Sequence, residues 1–167
     1  MFRKRNRLDV PSNKRCIKCK WVLKKKSNGI YRARLVACGY SQIPGVDYTE
    51  SFNPVVNDIT WNILIILAMK MGLDIRLLDV ETAFQNGDLD KEIYMEPPEG
   101  IEEVIEIDRT KECMELLKCT YGLVQTARQY GKKFNEVVKG KGIEPTLVDP
   151  SLLLKKNGTN CPELFIA

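Results

Sequence analysis

The sequence predicts an α+β fold class, in which short strands and two helices form one domain after a basic lead-in. Strand-like segments recur between turn residues, most clearly on either side of Ser27-Asn28-Gly29. Two other segments carry apolar residues at helical spacing. With 44% hydrophobic and 29% charged residues, the 167-residue chain has the composition of a globular protein.

The first half of the chain predicts a lead-in, a hairpin and a loop. Residues 1–20 are basic and interrupted by polar residues, which indicates a flexible segment. Trp21 to Lys25 and Ile30 to Cys38 are predicted strands of the hairpin. Arg32 and Arg34 fall on one face of the second strand, an arrangement that suits a phosphate. Residues 39–57 are rich in Gly, Pro and polar residues and predict a loop.

A helix is predicted to follow this loop. Asn57 or Asp58 can cap its start, and Gly72 can end it in a left-handed conformation. Its spacing predicts a buried stripe made of Ile59, Ile63, Ile66, Leu67 and Ala68.

Residues 75–80 (IRLLDV) predict a largely buried strand that contains one acid, Asp79. An ionised carboxylate there is costly unless a cation or a metal compensates it, which suggests a functional role. The alternative is that Asp79 caps a helix at a strand-to-helix junction.

The remaining elements are predicted from the same signals. Alternation predicts strands at Glu92 to Glu96 and Met114 to Leu117, and a helix is expected from about Ala127 to Val138. Apolar runs predict final strands at Leu152 to Leu154 and Leu164 to Ala167.

The chain contains no histidine, and this excludes several functional classes. Ser-His-Asp and Cys-His catalysis, HExxH zinc proteases and Cys2His2 fingers all need an imidazole. Carboxylates are therefore the first candidates for chemistry. A Cys16-x-x-Cys19 pair leaves a zinc-bearing module as a further hypothesis, although a second pair at similar spacing is missing.

The net charge of +4 conceals an uneven distribution. Residues 1–40 carry thirteen Lys or Arg and one acid, Asp9, for a net charge of +12, whereas the rest carries −8. Such a basic segment favours a polyanionic partner, and a solvated tail is the alternative. The absence of a signal peptide and of a long apolar run predicts an intracellular protein of the cytoplasm or nucleus, not secreted and without a membrane partner.

Four segments, in this order, together resemble the reverse transcriptase of Ty1/copia-type LTR retrotransposons. The first is KWVLKKK with SNGIYRARLVACGYSQIPGVDYTESFNPVV. The others are LLDVETAFQNGDLDKEIYMEPPEG, TYGLVQTARQYGKKF and GIEPTLVDPSLLLKK. The resemblance covers residues 10–156 and implies right-hand polymerase fingers and a partial palm, with a mixed or antiparallel sheet and packed helices, over residues 21–167.

The resemblance also implies site residues. Asp79 matches the first of three catalytic aspartates, which bind two Mg²⁺ ions with help from the backbone carbonyl of Val80. Phe84 matches the aromatic residue that excludes a ribose 2′-hydroxyl, with plain core packing as the alternative. Arg34 and Arg32 would bind the incoming triphosphate, and Gly122 and Gln125 belong to the segment near nucleotide and template.

The partners implied are an RNA template, a DNA primer or product, deoxynucleoside triphosphates, and the integrase and ribonuclease H of a Pol polyprotein. The Tyr-x-Asp-Asp motif that supplies the other two aspartates is absent, and the family's YGLKQSPRQW-like motif reads YGLVQTARQY here. The expectation is therefore a polymerase fragment that is inactive alone. The alternative is a non-catalytic nucleic-acid-binding relic of a retroelement.

Overall fold

The computed structural model describes residues 2–155 and 163–166. Over these residues it mixes two α-helices with several sheets, an architecture compatible with the predicted α+β class. The chain divides into two compact units, one formed by the residues up to Phe52 with Thr82–Lys133, and the other by Asn53–Glu81 with the residues from Phe134 onward. The elements in chain order are β1 Phe2–Asn6, β2 Cys16–Ile17, β3 Cys19–Lys25, β4 Tyr31–Ala37, α1 Asp58–Met71, β5 Ile93–Met95, β6 Glu112–Leu116, α2 Thr126–Lys139, β7 Ile143–Pro145, β8 Leu152–Lys155 and β9 Glu163–Ile166.

The first unit is built on a four-stranded sheet with the order β1-β6-β5-β2. β2 and β5 run parallel, while the other two pairs are antiparallel. The sheet is mixed, as predicted. Its apolar side chains form one buried cluster with residues from neighbouring segments. The cluster consists of Ile17, Ala37, Ile93, Met95, Ile107, Met114, Leu116 and Leu123.

Part of the predicted flexible lead-in belongs to this sheet, which corrects that expectation for β1 and β2. β1 pairs with β6 over its whole length, from Phe2 opposite Leu116 to Asn6 opposite Glu112. The Nε atom of Arg5 donates to Glu115 at 2.6 Å. The sequence FRKRN has almost no apolar alternation, so only the partner strand reveals that it is extended.

The predicted hairpin is confirmed as β3 and β4, which pair antiparallel from Cys19 opposite Ala37 to Lys25 opposite Tyr31. Gly29 occupies the turn with φ of 82°, a conformation that glycine adopts without the steric cost of a Cβ. The register places Arg32 and Arg34 on the same face as Lys20 and Lys24.

The second unit contains α1 and a three-stranded antiparallel sheet with the order β7-β8-β9. Both predicted caps of α1 are confirmed. The side chain of Asn57 accepts from Ile59 N at 2.8 Å, and Gly72 ends the helix with φ of 63°. Asp149, which follows β7, accepts a hydrogen bond from Asn57 N at 3.1 Å and thereby connects the start of the helix to the loop before β8.

The predicted buried stripe of α1 is wrong. Ile59, Ile63 and Ile66 are 68%, 51% and 63% exposed, and the least exposed apolar positions are Leu64, Ile65 and Ala68. The helix carries apolar residues on every side, so its periodicity does not distinguish one face from another.

The predicted strand at 75–80 is not formed. Residues 73–80 lie outside every helix and strand, and Leu77 is 96% exposed. A segment becomes a strand only when a neighbour accepts and donates its backbone hydrogen bonds, and no other described residue pairs with this one.

The other predicted elements are confirmed with shifts of one or two residues at their ends. They are β5, β6, α2, β8 and β9, although Ala167, predicted to end the last strand, lies outside the described residues. Within the described part of the chain, neither helix has the length and apolar character needed to cross a bilayer.

Candidate functional site

A cleft of about 380 Å³ in the first unit is lined by two of the candidate residues singled out by the sequence, Arg32 and Arg34. Residues 32–35 of β4 line one part of it, Thr82 and Gln85 another, and the segment from Lys118 to Tyr121 a third. Met95, Met114 and Leu116 of the central sheet contribute apolar lining.

Arg34 is one of the cations that line this cleft. Its guanidinium carbon lies 5.3 Å from the centroid of the Tyr121 ring, a cation–π arrangement. Its Nε atom is buried and has no hydrogen-bond partner among the described residues. An unmatched buried donor costs free energy until an acceptor arrives, so Arg34 is suited to bind an anion such as phosphate.

Two further cations line the cleft. Arg32 shares the face of Arg34 on β4 and is exposed. Lys118 forms a short ion pair with Asp88, which also contacts Lys133 at 3.3 Å. Hydrogen bonds from these two lysines lower the pKa of Asp88, which therefore stays ionised and neutralises part of their charge.

Phe84 lies in a short 3₁₀ helix, Ala83–Asn86, and is half-buried. Its ring makes edge contacts with Tyr121 and Tyr130, at centroid distances of 5.5 and 6.2 Å. The residue before this helix, Thr82, has φ of 50°, which is unusual for a β-branched side chain. Phe84 is thus held in an aromatic cluster next to a backbone in an uncommon conformation.

Gly122 allows the segment after β6 to approach the end of β4. It has φ of 92°, and a Cβ placed there would lie 2.1 Å from the carbonyl oxygen of Ala37. A Cβ at Gly39 would in turn lie 2.0 Å from the carbonyl oxygen of Gly122. Ala37 N donates to the Tyr121 carbonyl at 2.8 Å, so two backbones touch where side chains have no room.

Gln125 is fully buried, and its amide makes two hydrogen bonds. Its Nε2 donates to the Asp47 carbonyl at 3.0 Å, and its Oε1 accepts from Gln42 Nε2 at 3.0 Å. Gln42 Oε1 then accepts from Val124 N at 2.8 Å. The structure therefore places Gln125 where it joins the loop after β4 to the start of α2, away from solvent.

Asp79 and Val80 belong to the second unit, in the exposed stretch that follows α1. A carboxylate and a backbone carbonyl are oxygens of the kind Mg²⁺ prefers. However, the described residues contain no group of three His, Cys, Asp or Glu able to hold a metal ion. These donors alone do not form a two-ion site.

Cys19, one of the two cysteines of the zinc hypothesis, has a hydrogen-bond partner within the chain. The Cys19 thiol donates to the Glu96 carbonyl at 3.2 Å, and burial raises the pKa of Cys19 to about 11. Neither Cys16 nor Cys19 belongs to a group of three His, Cys, Asp or Glu among the described residues that could hold a metal ion.

Comparison with known sequences decides the family. The profile described as "Reverse transcriptase (RNA-dependent DNA polymerase)" matches residues 4–167. The chain belongs to this reverse transcriptase family. Its relatives include the "Retrovirus-related Pol polyprotein from transposon TNT 1-94" of Nicotiana tabacum, which is 39% identical over 158 residues, covering 92% of this chain and 12% of the relative.

Two further relatives extend the comparison. The "Retrovirus-related Pol polyprotein from transposon RE1" of Arabidopsis thaliana is 35% identical over 93% of this chain and 11% of its own length. The "Truncated transposon Ty1-A Gag-Pol polyprotein" of Saccharomyces cerevisiae is 28% identical over 75% of this chain and 10% of its own length. The reverse transcriptase chain thus spans about a tenth of these relatives, and no solved structure matches it. The resemblance to Ty1/copia-type retrotransposons is confirmed.

Sequence reasoning missed several residues of the cleft. Tyr121 contacts both Arg34 and Phe84, but a single tyrosine before a glycine is typical of a turn. Lys118 and Thr82 reach the cleft only through tertiary packing, since neither belongs to a helical or strand-like pattern. The only sequence signal for Lys118 is that it is charged and directly follows a predicted strand.

Proposed function

We propose that this chain is the fingers and partial palm of a retrotransposon reverse transcriptase and binds the incoming deoxynucleoside triphosphate in the cleft of the first unit. Arg34 carries the proposal, because it is a cation whose buried Nε lacks a partner among the described residues. Arg32 adds charge on the same face of β4. Phe84, Gly122 and Gln125 would shape the nucleotide and template side, Gln125 by fixing the backbone rather than by direct contact.

Asp79 is proposed as the first of three catalytic aspartates of an RNA-directed DNA polymerase. It would bind Mg²⁺ together with the Val80 carbonyl. The other two aspartates would come from a Tyr-x-Asp-Asp segment that this sequence does not contain. Since one carboxylate cannot hold two ions, the 167-residue chain is expected to be inactive alone. Its partners would be an RNA template, a DNA primer and the rest of a Pol polyprotein, including integrase and ribonuclease H.

Primer extension tests this part of the proposal. The 167-residue chain is incubated with a primed RNA template, deoxynucleotides and Mg²⁺, beside a chain extended in frame through a Tyr-x-Asp-Asp segment. Incorporation is expected only from the extended chain, and Asp79→Asn in that chain should abolish it while nucleotide binding persists. Robust incorporation by the shorter chain would overturn the proposed inactivity.

Nucleotide binding tests the cleft independently of catalysis. Equilibrium binding of dATP to the 167-residue chain is measured for the unmodified protein and for Arg34→Ala. The affinity should fall by about tenfold or more, because a charge-assisted hydrogen bond is removed. Lys141→Ala, an exposed lysine after α2, is the matched control and should leave the affinity unchanged.

A non-catalytic relic that binds nucleic acid is the second candidate, and the net charge of +12 over residues 1–40 favours it. Two departures from the family motif nevertheless make specific contacts. The Thr126 hydroxyl donates to the Thr120 carbonyl at 2.8 Å, and Tyr130 contacts Phe84. Reading the frame past Ala167 distinguishes the two candidates. Codons for Tyr-x-Asp-Asp in the same frame would favour the polymerase, whereas a stop codon would favour the relic.

A further inference from the structure

One side chain, Tyr121, contacts both residues to which the proposed function assigns recognition of the nucleotide. The guanidinium carbon of Arg34 lies 5.3 Å from the centroid of its ring. The ring of Phe84 lies 5.5 Å from the same ring at an interplanar angle of 73°. Tyr121 also lines the cleft itself. The residue proposed to bind the phosphate and the residue proposed to exclude the 2′-hydroxyl therefore both contact one aromatic ring, and of these two only Arg34 lines the cleft.

The backbone that carries this ring is firmly placed. The Tyr121 carbonyl accepts from Ala37 N at 2.8 Å, and the following residue, Gly122, lies against the carbonyl of Ala37 with no room for a Cβ. Arg34 and Ala37 belong to the same strand, so the ring and the guanidinium are fixed to one local framework. A ring whose backbone is fixed in this way lies where it can hold a cation over its face.

We propose that Tyr121 is a positioning residue that couples triphosphate binding to discrimination between deoxyribose and ribose. It holds the guanidinium of Arg34 over its face and the ring of Phe84 against it. This inference rests on the proposed function, because it takes Arg34 as the phosphate ligand and Phe84 as the residue that excludes the 2′-hydroxyl. It adds a residue whose removal weakens both tasks together.

Tyr130 provides an internal comparison. Its ring centroid lies 6.2 Å from that of Phe84, and it is not part of the contact between Tyr121 and Arg34. Loss of the Tyr130 ring should therefore affect sugar discrimination but not triphosphate affinity. Loss of the Tyr121 ring should affect both.

The experiment measures equilibrium binding of dATP and of ATP, which differ only in the 2′-hydroxyl, to the 167-residue chain. The variants are Tyr121→Leu, Tyr121→Met, Tyr121→Phe and Tyr130→Leu, with Arg34→Ala and Phe84→Leu as references. We expect Tyr121→Leu to weaken dATP binding by about three- to tenfold and to narrow the dATP-to-ATP preference by about two- to tenfold. Tyr121→Phe keeps the ring, so its dATP affinity and its dATP-to-ATP preference should equal those of the unmodified chain.

The outcomes separate the inference from the proposed function. If Arg34→Ala binds dATP normally, the proposed nucleotide site is wrong and the inference falls with it. If Arg34→Ala weakens dATP binding while Tyr121→Leu and Tyr121→Met leave affinity and preference unchanged, the inference alone is overturned. Thermal unfolding of each variant shows whether Tyr121→Leu folds. If it does not, the dATP affinity and sugar preference of Tyr121→Met, which keeps most of the side-chain volume, decide the outcome.

A double variant gives a second test. In a Phe84→Leu background, Tyr121→Leu should cause no further loss of sugar preference but should still weaken dATP binding. A full additional loss of preference would show that Tyr121 acts on the sugar without Phe84, contrary to the proposal.

Discussion

Gln125 shows how one buried polar side chain can hold a candidate site together. Its amide donates a hydrogen bond to the Asp47 carbonyl and accepts one from Gln42. The side chain of Gln42 in turn accepts a hydrogen bond from Val124 N. These hydrogen bonds join the loop after β4 to the segment that leads into α2. Because donors and acceptors are matched there, removing the amide leaves buried groups without partners.

We expect Gln125→Leu to lower the free energy of unfolding by about 1–3 kcal/mol, since Gln42 and the Asp47 carbonyl lose a partner in a buried environment. Denaturant unfolding followed by circular dichroism provides the measurement. Lys132→Leu, at an exposed position of α2, is the control and should change stability by less than about 0.5 kcal/mol. Equal effects at the two positions would contradict the role of Gln125.

Asp149 gives the second unit a pH-dependent interaction. Hydrogen bonds from Asn57 N and Ser151 N lower the pKa of its carboxyl below the ordinary value of 3.8. A lowered pKa in the folded state contributes stability that is present above the unfolded value and is lost as the pH falls through the folded value.

The melting temperature of the unmodified chain should therefore exceed that of Asp149→Asn at neutral pH, and the gap should close as the pH is lowered below 3.8. Thermal unfolding of both proteins at a series of pH values between 7 and about 2.5 measures this difference in melting temperature. A gap that stays constant down to the lowest pH would show that the charge of Asp149 is irrelevant to folding.

At the scale of secondary structure elements, the close approach between the end of β4 and the segment after β6 depends on two glycines. Gly39 and Gly122 each occupy a place where a Cβ would collide with the backbone of the other segment or of Ala37. The short distance between these two backbone segments is needed for the hydrogen bond from Ala37 N to the Tyr121 carbonyl. This close approach places Tyr121 beside Arg34.

Gly122→Ala should therefore be strongly destabilising and should also weaken dATP binding. Gly45→Ala is the matched control, because Gly45 also has a positive φ, of 81°, but no atom within 4 Å of a Cβ built there. The control should cost about 1 kcal/mol from backbone conformation alone, while Gly122→Ala should cost clearly more. Denaturant unfolding compares the two, and equal losses of stability would contradict the steric account.

At the scale of the whole molecule, part of the positive charge concentrated in residues 1–40 lies on one face of the hairpin. Lys20, Lys24, Arg32 and Arg34 share one face of β3 and β4. A row of cations of this kind attracts a nucleic acid backbone by releasing counterions, and the affinity then falls with salt.

Binding of single-stranded RNA should weaken as the salt concentration rises from about 50 to 200 mM, with a shallower dependence for the double variant Lys20→Gln, Lys24→Gln. The slope of log affinity against log salt should decrease by about 1 to 1.5, at roughly 0.7 for each phosphate that the protein no longer neutralises. Fluorescence anisotropy measures it. The control variant, Lys139→Gln with Lys141→Gln, removes equal charge from the end of α2, and equal slopes for the two variants would place the RNA elsewhere.

Much of the local structure could be predicted from the sequence. The hairpin follows from alternation around Gly29, and the bounds of α1 follow from Asn57 and Gly72. The candidate residues Arg32 and Arg34 could be placed on one face because a strand has a period of two. In each case the signal lies within a few neighbouring residues.

Other features depend on residues that are distant in sequence. β1 is a strand because Glu112–Leu116 pairs with it, and residues 75–80 are not a strand because no described residue does so. The exposed side of α1 could not be predicted from a helix that is apolar all round. Tyr121 contacts Phe84 and Arg34 across long stretches of intervening chain, which no local pattern records.

The sequence by itself determined the family, the hairpin, the helix caps and the identity of the candidate residues, because motif order and short-range periodicity are properties of the chain alone. Only the tertiary structure decided which of those residues meet. It brought Arg34 and Phe84 to the ring of Tyr121, a residue that no local pattern singles out, and left Asp79 exposed. The physical reason is that backbone pairing and close packing between distant segments, rather than local propensity, fix the position of a side chain in space.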